Sequence, residues 1–479
     1  MGPRLMNPGE LRARAVIPYL EIKFPTCLLM PKRAVGYYCG SVRGGFPMKA
    51  MKTSGYPARR DVLRFGAASA VGLALRSRAA AASDNTFAKG GGSGPLRSAG
   101  ALAFGPDNVL FVGDIAGATV HAFVLRATDV TSQADLELGN FHNFEGRDLV
   151  RGLDQKLAAL FGTTYDQIVV NDMVVHQPSQ QIFMSVERGR STDALPAIAK
   201  VNHGELEVLA LDQIPHSQVG IPNEPDPKAM LEFDAQRSFA ITDVKYYNGE
   251  IFVTGISNQR FASTLHRIPY PFNAQMATCT VEIWHPVHGE FETRAPIIRQ
   301  LIKEVQGEPH LFGVYGCTPL VRFPLASLKD GAHVRGDVIG ELGYGANPID
   351  MLTFTDPFDQ KEYLLVTIDT RSASRIAVLD LGTAKPEPTG GSIDFGPGGL
   401  GRTQGLLPII ANHFALLDPK WAVQIHRHPK TGYRLDVSTL ATPYFFERRD
   451  GMSEMNWRDG PDPFDYRQHR GEISTGANR

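Results

Sequence analysis

Short apolar runs alternate with polar turns along most of the chain, and one arrangement of them recurs. VNDMVVHQPSQQIFMSV, residues 170–186, places an acidic residue ahead of an apolar run, a polar turn and a second apolar run. ITDVKYYNGEIFVTG from Ile241 and PIDMLTFTDPFDQKEYLLVTI from Pro348 repeat that order, with Asp172, Asp243 and Asp350 at matching positions. LAFGPDNVLFVGD adds another strand, turn and strand, followed by an apolar run from Thr119 to Val124. Alternating runs bounded by Gly, Pro, Asn and Asp predict antiparallel hairpins. They parse into units of four short strands at about 98–140, 168–213, 238–293, 295–342, 346–395 and 403–440. PAIAKV, STLHRI, TPLVRF and SRIAVL, beginning at Pro196, Ser263, Thr318 and Ser374, align as third strands.

One four-stranded unit cannot bury both of its faces until neighbours stack on it, so this repetition predicts an all-β propeller. The count is six blades, or seven if residues 385–403 form a degenerate one. A β-sandwich competes with this architecture, but it does not require the third strands to resemble one another. DLVRGLDQKLAALFGTT, residues 148–164, has apolar positions at helical spacing and predicts one short helix between the first two units. IPHSQVGIPNEPDPKAM, residues 214–230, reads as an ordered loop crossing one face.

The first strand of each propeller blade lines the central channel, so Asp172, Asp243 and Asp350 are expected to converge at one mouth. Loops between second and third strands lie on the same face and carry Asp114, Arg188, Arg190, Asn258, Arg260, Tyr315, Asp369 and Arg371. The expected site is a carboxylate ring within an arginine rim, with Arg188, Arg190, Asn258, Arg260 and Arg371 placed to take a small anionic ligand. Each Asp has two readings at this stage: a share of a bound cation, or pairing with an Arg or with backbone N–H groups at the strand start.

The formal charge of −1 hides an uneven distribution. Residues 1–82 hold 14 Lys and Arg against 3 Asp and Glu, which leaves 35 against 47, a balance of −12, for residues 83–479. An acidic body argues against nucleic acid as a partner. Within the basic head, ARRDVLRFGAASAVGLALRSRAAAAS has paired arginines, a short apolar run and small residues ending at Ala82. That order is read as an export signal over 51–82 of the twin-arginine type, with cleavage near Ala82 and a periplasmic or otherwise exported mature chain. Residues 1–50 form a leader with no expected fold, 83–97 a flexible linker, 98–440 the propeller and 441–479 a polar tail. The mature body keeps Cys279 and Cys317, which either pair or stay buried as thiols.

The units with VNDM and PID at channel-facing starts resemble six-bladed propellers of the gluconolactonase, paraoxonase and strictosidine-synthase-like group over most of 98–440. The resemblance implies a calcium ion held by Asn, Asp and Glu at strand starts, here Asn171, Asp172, Asp243 and Asp350, with Asn347 next. Gly100 and Ala101 stand where that group has a first-blade Glu.

Histidines offer less. His176, His203, His285, His288, His426 and His428 fall in or beside hairpin turns, and the pairs 285/288 and 426/428 lack an evident third metal ligand, so they read as structural. His121 and His266, on third strands, read as packed or surface residues. The sequence has no C-x-x-C-H for haem, no P-loop or other nucleotide motif, no G-x-S-x-G and no H-E-x-x-H. Two function classes remain: an exported module that binds a small ligand or a partner protein at the channel mouth, and a metal-dependent hydrolase of small esters or lactones. No catalytic residue is identified, and the first class is favoured because no general base is evident.

Overall fold

The computed structural model describes residues 94–441 except 144, 191–192, 232–233, 274, 317, 345, 369–371, 391–394, 408–410 and 429–433. The leader, the export signal, most of the linker, the polar tail, Cys317, Asp369 and Arg371 lie outside the described residues. All described residues belong to one compact unit.

The fold is all-β and propeller-like, with two short helices among the described residues, Leu153–Phe161 and Val378–Thr383. Its main sheets are four of four strands and one of ten, eight of them on its main path. The ten-stranded sheet consists of two antiparallel sets, one built on Asp243–Tyr247 and the other on Ile297–Val305. Their outermost strands pair in parallel, residues 280–283 against 333–336. The innermost strands neighbour one another in a cycle: Leu102–Phe104, Asp243–Tyr247, Ile297–Val305, Pro348–Thr355, His413–Leu416, Ile168–His176 and back to the first.

Apolar faces explain why the sheets stack. Along Val109–Asp114 and Gln181–Arg188 the middle positions are buried on both faces, as expected of strands covered on either side. Each neighbouring pair of sheets has its own apolar cluster. Phe111, Val120, Val244 and Ile251 join the first two sheets of the cycle. Phe354, Leu365, Phe414 and Ala422 join two on the far side.

Three sheets take a strand from outside the stretch expected to form them. One is the sheet of Pro348–Thr355, Glu362–Ile368 and Ser372–Ala377, completed by Gly405–Leu407 from the stretch expected to form the sixth unit. The sheet of Leu102–Phe104, Val109–Asp114 and Thr119–Val124 is completed by His216–Gly220, and that of His413–Leu416, Trp421–His428 and Arg434–Ala441 by Asp148–Val150. The 168–208 sheet therefore sits between these two, and the chain returns past the first sheet to begin the 243 sheet. This corrects two expectations. The loop around 214–230 supplies a strand, and the helix expected over 148–164 is confined to Leu153–Phe161 because its first residues are in a sheet. Leu153, Leu157, Leu160 and Phe161 bury one face of that helix against the neighbouring sheets, as their spacing predicts.

Candidate functional site

Asp172, Arg299 and Asp350 lie on innermost strands, each directly after an irregularity in strand register, between Val170 and Asp172, Ile297 and Arg299, and Pro348 and Asp350. An extra residue on one strand turns the next side chain out of the regular alternation. Asp243 opens its strand and His413 opens another. All five are nearly inaccessible, from 0% exposure at Asp243 to 9% at Arg299.

The three aspartates staple one innermost strand to the next. Asp172 Oδ2 accepts the Leu102 N–H at 2.8 Å, Asp243 Oδ2 the Gln300 N–H at 2.7 Å and Asp350 Oδ2 the Phe414 N–H at 2.9 Å. Asp243 Oδ1 and Asp350 Oδ1 also accept from Val244 and Met351 at 2.9 and 2.8 Å. Five of the six carboxylate oxygens are thus engaged by backbone N–H groups. The sixth, Asp172 Oδ1, lies 3.6 Å from Arg299 Nη2 and 3.9 Å from His413 Nδ1.

Arg299 stands between the acids. Its Nε is 3.5 Å from Asp350 Oδ1, and it donates to the carbonyls of Ile349 and Thr242 at 3.2 and 3.3 Å. Burial opposes its charge, but the carboxylates of Asp172, Asp350 and Asp243 outweigh burial and hold the guanidinium above its ordinary value. Lys245 reaches Asp243 Oδ1 at 3.3 Å, and it too is held above its usual range by the acids against the pull of burial. Burial raises the Asp243 carboxyl and lowers the His413 imidazole. Three acids, two cations and an imidazole make a largely self-neutralised cluster.

The remaining candidates are dispersed. Asn171 donates to the Ala99 carbonyl at 2.7 Å. Arg190 donates to the carbonyls of Asp166 and Ile168. Asn258 N–H donates to Asn223 O at 2.9 Å. Arg260 lies with its guanidinium 5.5 Å from the centre of the Phe261 ring, and that ring packs 4.2 Å from His333. Arg260, Phe261 and His333 line a cleft of about 530 Å³ together with Asn223, Gln259, Thr280 and Asp330. Cys279 also lines it, and burial pushes its thiol up to about 12.

Among the turn histidines, His176 is held between Ser179 Oγ at 2.7 Å and Asn108 Oδ1 at 2.9 Å, the structural role expected of it. The 285/288 pair has more company. Its rings lie 4.1 Å apart, His288 Nδ1 is 3.5 Å from Glu292 Oε2, and His285 Nε2 is 3.9 Å from Glu341 Oε2. Burial pushes the Glu341 carboxyl up to about 7.

Arg299, Lys245, His413 and Glu341 escaped sequence reasoning. Arg299 and His413 were within its reach: in APIIRQLIKEV and ANHFALL a charged or polar residue interrupts an apolar run where the sister units carry Asp. Glu341 had no local signal, since its sequence distance from the histidines conceals the contact.

No family model matches the sequence, and no curated protein matches it. Solved structures similar to the chain include the PQQ-bound aldose sugar dehydrogenase of Streptomyces coelicolor, at 10% identity over 72% of this chain and 94% of that one, TM-score 0.28. A protein of unknown function from Dyadobacter fermentans has 10% identity with the same coverage and a TM-score of 0.29. A streptogramin B lyase has 9% identity, also over 72% and 94%, with a TM-score of 0.30. Likenesses this weak assign no chemistry, and the propeller-like description rests on the sheets themselves.

Proposed function

We propose that the mature chain is an exported six-bladed propeller that binds a small anionic ligand, with Arg260 as the recognition residue. The six-blade count treats the ten-stranded sheet as two blades, supported by six inter-sheet apolar clusters that follow the cycle of innermost strands. The observation that carries the binding reading is the cleft of about 530 Å³, within the size range of small-molecule sites. Arg260 offers a planar cation beside the Phe261 face, and the Phe261 ring itself packs, tilted by 34°, against His333. Of the proposed rim, Arg260 is the cation that lines this cleft, whereas Arg190 is engaged by carbonyls.

The central acids fit calcium poorly. Calcium takes six to eight oxygen ligands, yet five of these six oxygens already accept N–H groups, and a guanidinium sits within 3.6 Å of two of the acids. Arg299 and Lys245 are proposed to supply the neutralising charge in calcium's stead, which removes support for a metal-dependent ester or lactone hydrolase at this ring.

Thermal-shift and calorimetric titration with a panel of small mono- and dicarboxylates tests the binding reading. A responding carboxylate is expected to bind at least ~10-fold more weakly to Arg260→Ala and Phe261→Ala. Unchanged affinity in both variants rejects the cleft as the site. Millimolar calcium is expected to leave the melting temperature unchanged. A calcium-dependent rise that Asp172→Asn abolishes would restore the hydrolase reading.

A further inference from the structure

We propose that His285, His288, Glu292 and Glu341 form a binding site for a divalent transition metal, zinc by donor chemistry, which clamps together the two halves of the ten-stranded sheet. WHPVHGEFE, residues 284–292, ends the strand Ala277–His285 and returns as Glu290–Glu292. The tight turn places ligand atoms of His285, His288 and Glu292 within 4.8 Å of one another. Glu341 comes from the other half, at the end of His333–Glu341, the strand that pairs in parallel with Ala277–His285.

Glu341 is the independent observation. It is 1% exposed, its Oε2 has no hydrogen-bond partner, and that oxygen is aimed at the His285 ring. A His288–Glu292 ion pair explains two members of the group, but it leaves Glu341 Oε2 buried with no hydrogen bond and with His285 Nε2 no closer than 3.9 Å, an arrangement that costs free energy unless something satisfies it, even though Oε1 accepts the Gly343 N–H at 3.4 Å. The central ring is different, because Arg299 occupies the space among its acids. Two imidazoles and two carboxylates are a donor set for zinc and its first-row neighbours, whereas calcium prefers oxygen alone. Four protein ligands drawn from two sheets suit a structural metal, since no coordination position need stay open for a substrate. This proposal is independent of the Arg260 cleft.

The test uses tag-free, chelator-stripped protein titrated with Co²⁺ and then Zn²⁺. One equivalent of Co²⁺ is expected to give visible d–d absorption of a four-coordinate ion, Zn²⁺ to displace it, and the Zn²⁺ form to melt at a higher temperature. Glu341→Gln and His288→Gln are each expected to weaken Co²⁺ binding at least ~10-fold, with far-UV circular dichroism confirming the fold. Should Glu341→Gln fail to fold, Glu292→Gln serves in its place. His413→Gln, in the central ring, is expected to bind as the parent does. The proposal is overturned by absence of saturable Co²⁺ binding, by unchanged affinity in the folded variants, or by loss of binding in His413→Gln alone.

Discussion

His266 shows what burial does to one titratable side chain. Its ring is 1% exposed, its Nδ1 lies 2.9 Å from Thr278 Oγ1, and burial lowers its pKa to about 4. The unfolded chain takes up that proton near pH 6.5, so between pH 6.5 and 4 unfolding gains a proton that folding refuses. The stability from this group is complete above pH 6.5 and declines as pH falls toward 4, by roughly 3 kcal/mol in all. Urea unfolding across that interval is expected to show a shallower pH dependence in His266→Gln than in the parent. Identical slopes would mean that other groups dominate acid unfolding. The residue scale also shows where sequence reading stopped. The three acids stood out because they repeat, whereas Arg299 and His413 occupy the same level of the ring without repeating, and a search for like charges passes over them.

At the scale of strands, side chains of the innermost layer join one sheet to the next where no ladder can form. Asp350 satisfies Met351 and Phe414 and balances Arg299. Asp350→Ala leaves two buried N–H groups without an acceptor and strips a buried guanidinium of a partner, with an expected loss of about 3 kcal/mol by chemical denaturation. Asp350→Asn, which keeps an oxygen, is expected to lose less. Equal losses would show that the charge dominates over the acceptor geometry. Hairpins were legible in the sequence because their alternation and turns are local, so first, second and third strands fall where the pattern places them. The outer strands of the first and last sheets were not, since His216–Gly220 is polar and largely exposed and Asp148–Val150 is only three residues ahead of a helix. Their strand character comes from partners distant in the chain, and no local preference marks it.

For the whole molecule, the cycle of innermost strands makes every sheet a neighbour to two others, so local damage is expected to be felt throughout. Val150 is 1% exposed and pairs with Val437, joining Asp148–Val150 to a sheet near the other end of the described chain. Val150→Ala is expected to cost roughly 1–2 kcal/mol while near- and far-ultraviolet circular dichroism still report one coincident transition. Two separated transitions would show that the sheets melt in independent groups. Among the described residues no helix is long and apolar enough to cross a membrane.

The borrowed outer strands also impose a schedule on synthesis. A nascent chain that has just emerged through residue 150 carries a segment whose sheet partner among the described residues, Arg434–Ala441, has yet to be translated. The earliest hairpins must wait until about residue 220 for their last strand. Such long waits raise the loop-closure cost before any reward arrives and make maturation slow. A ribosome halted midway would hold unfinished edges open to strangers, so the danger of misassembly peaks before the polypeptide is complete.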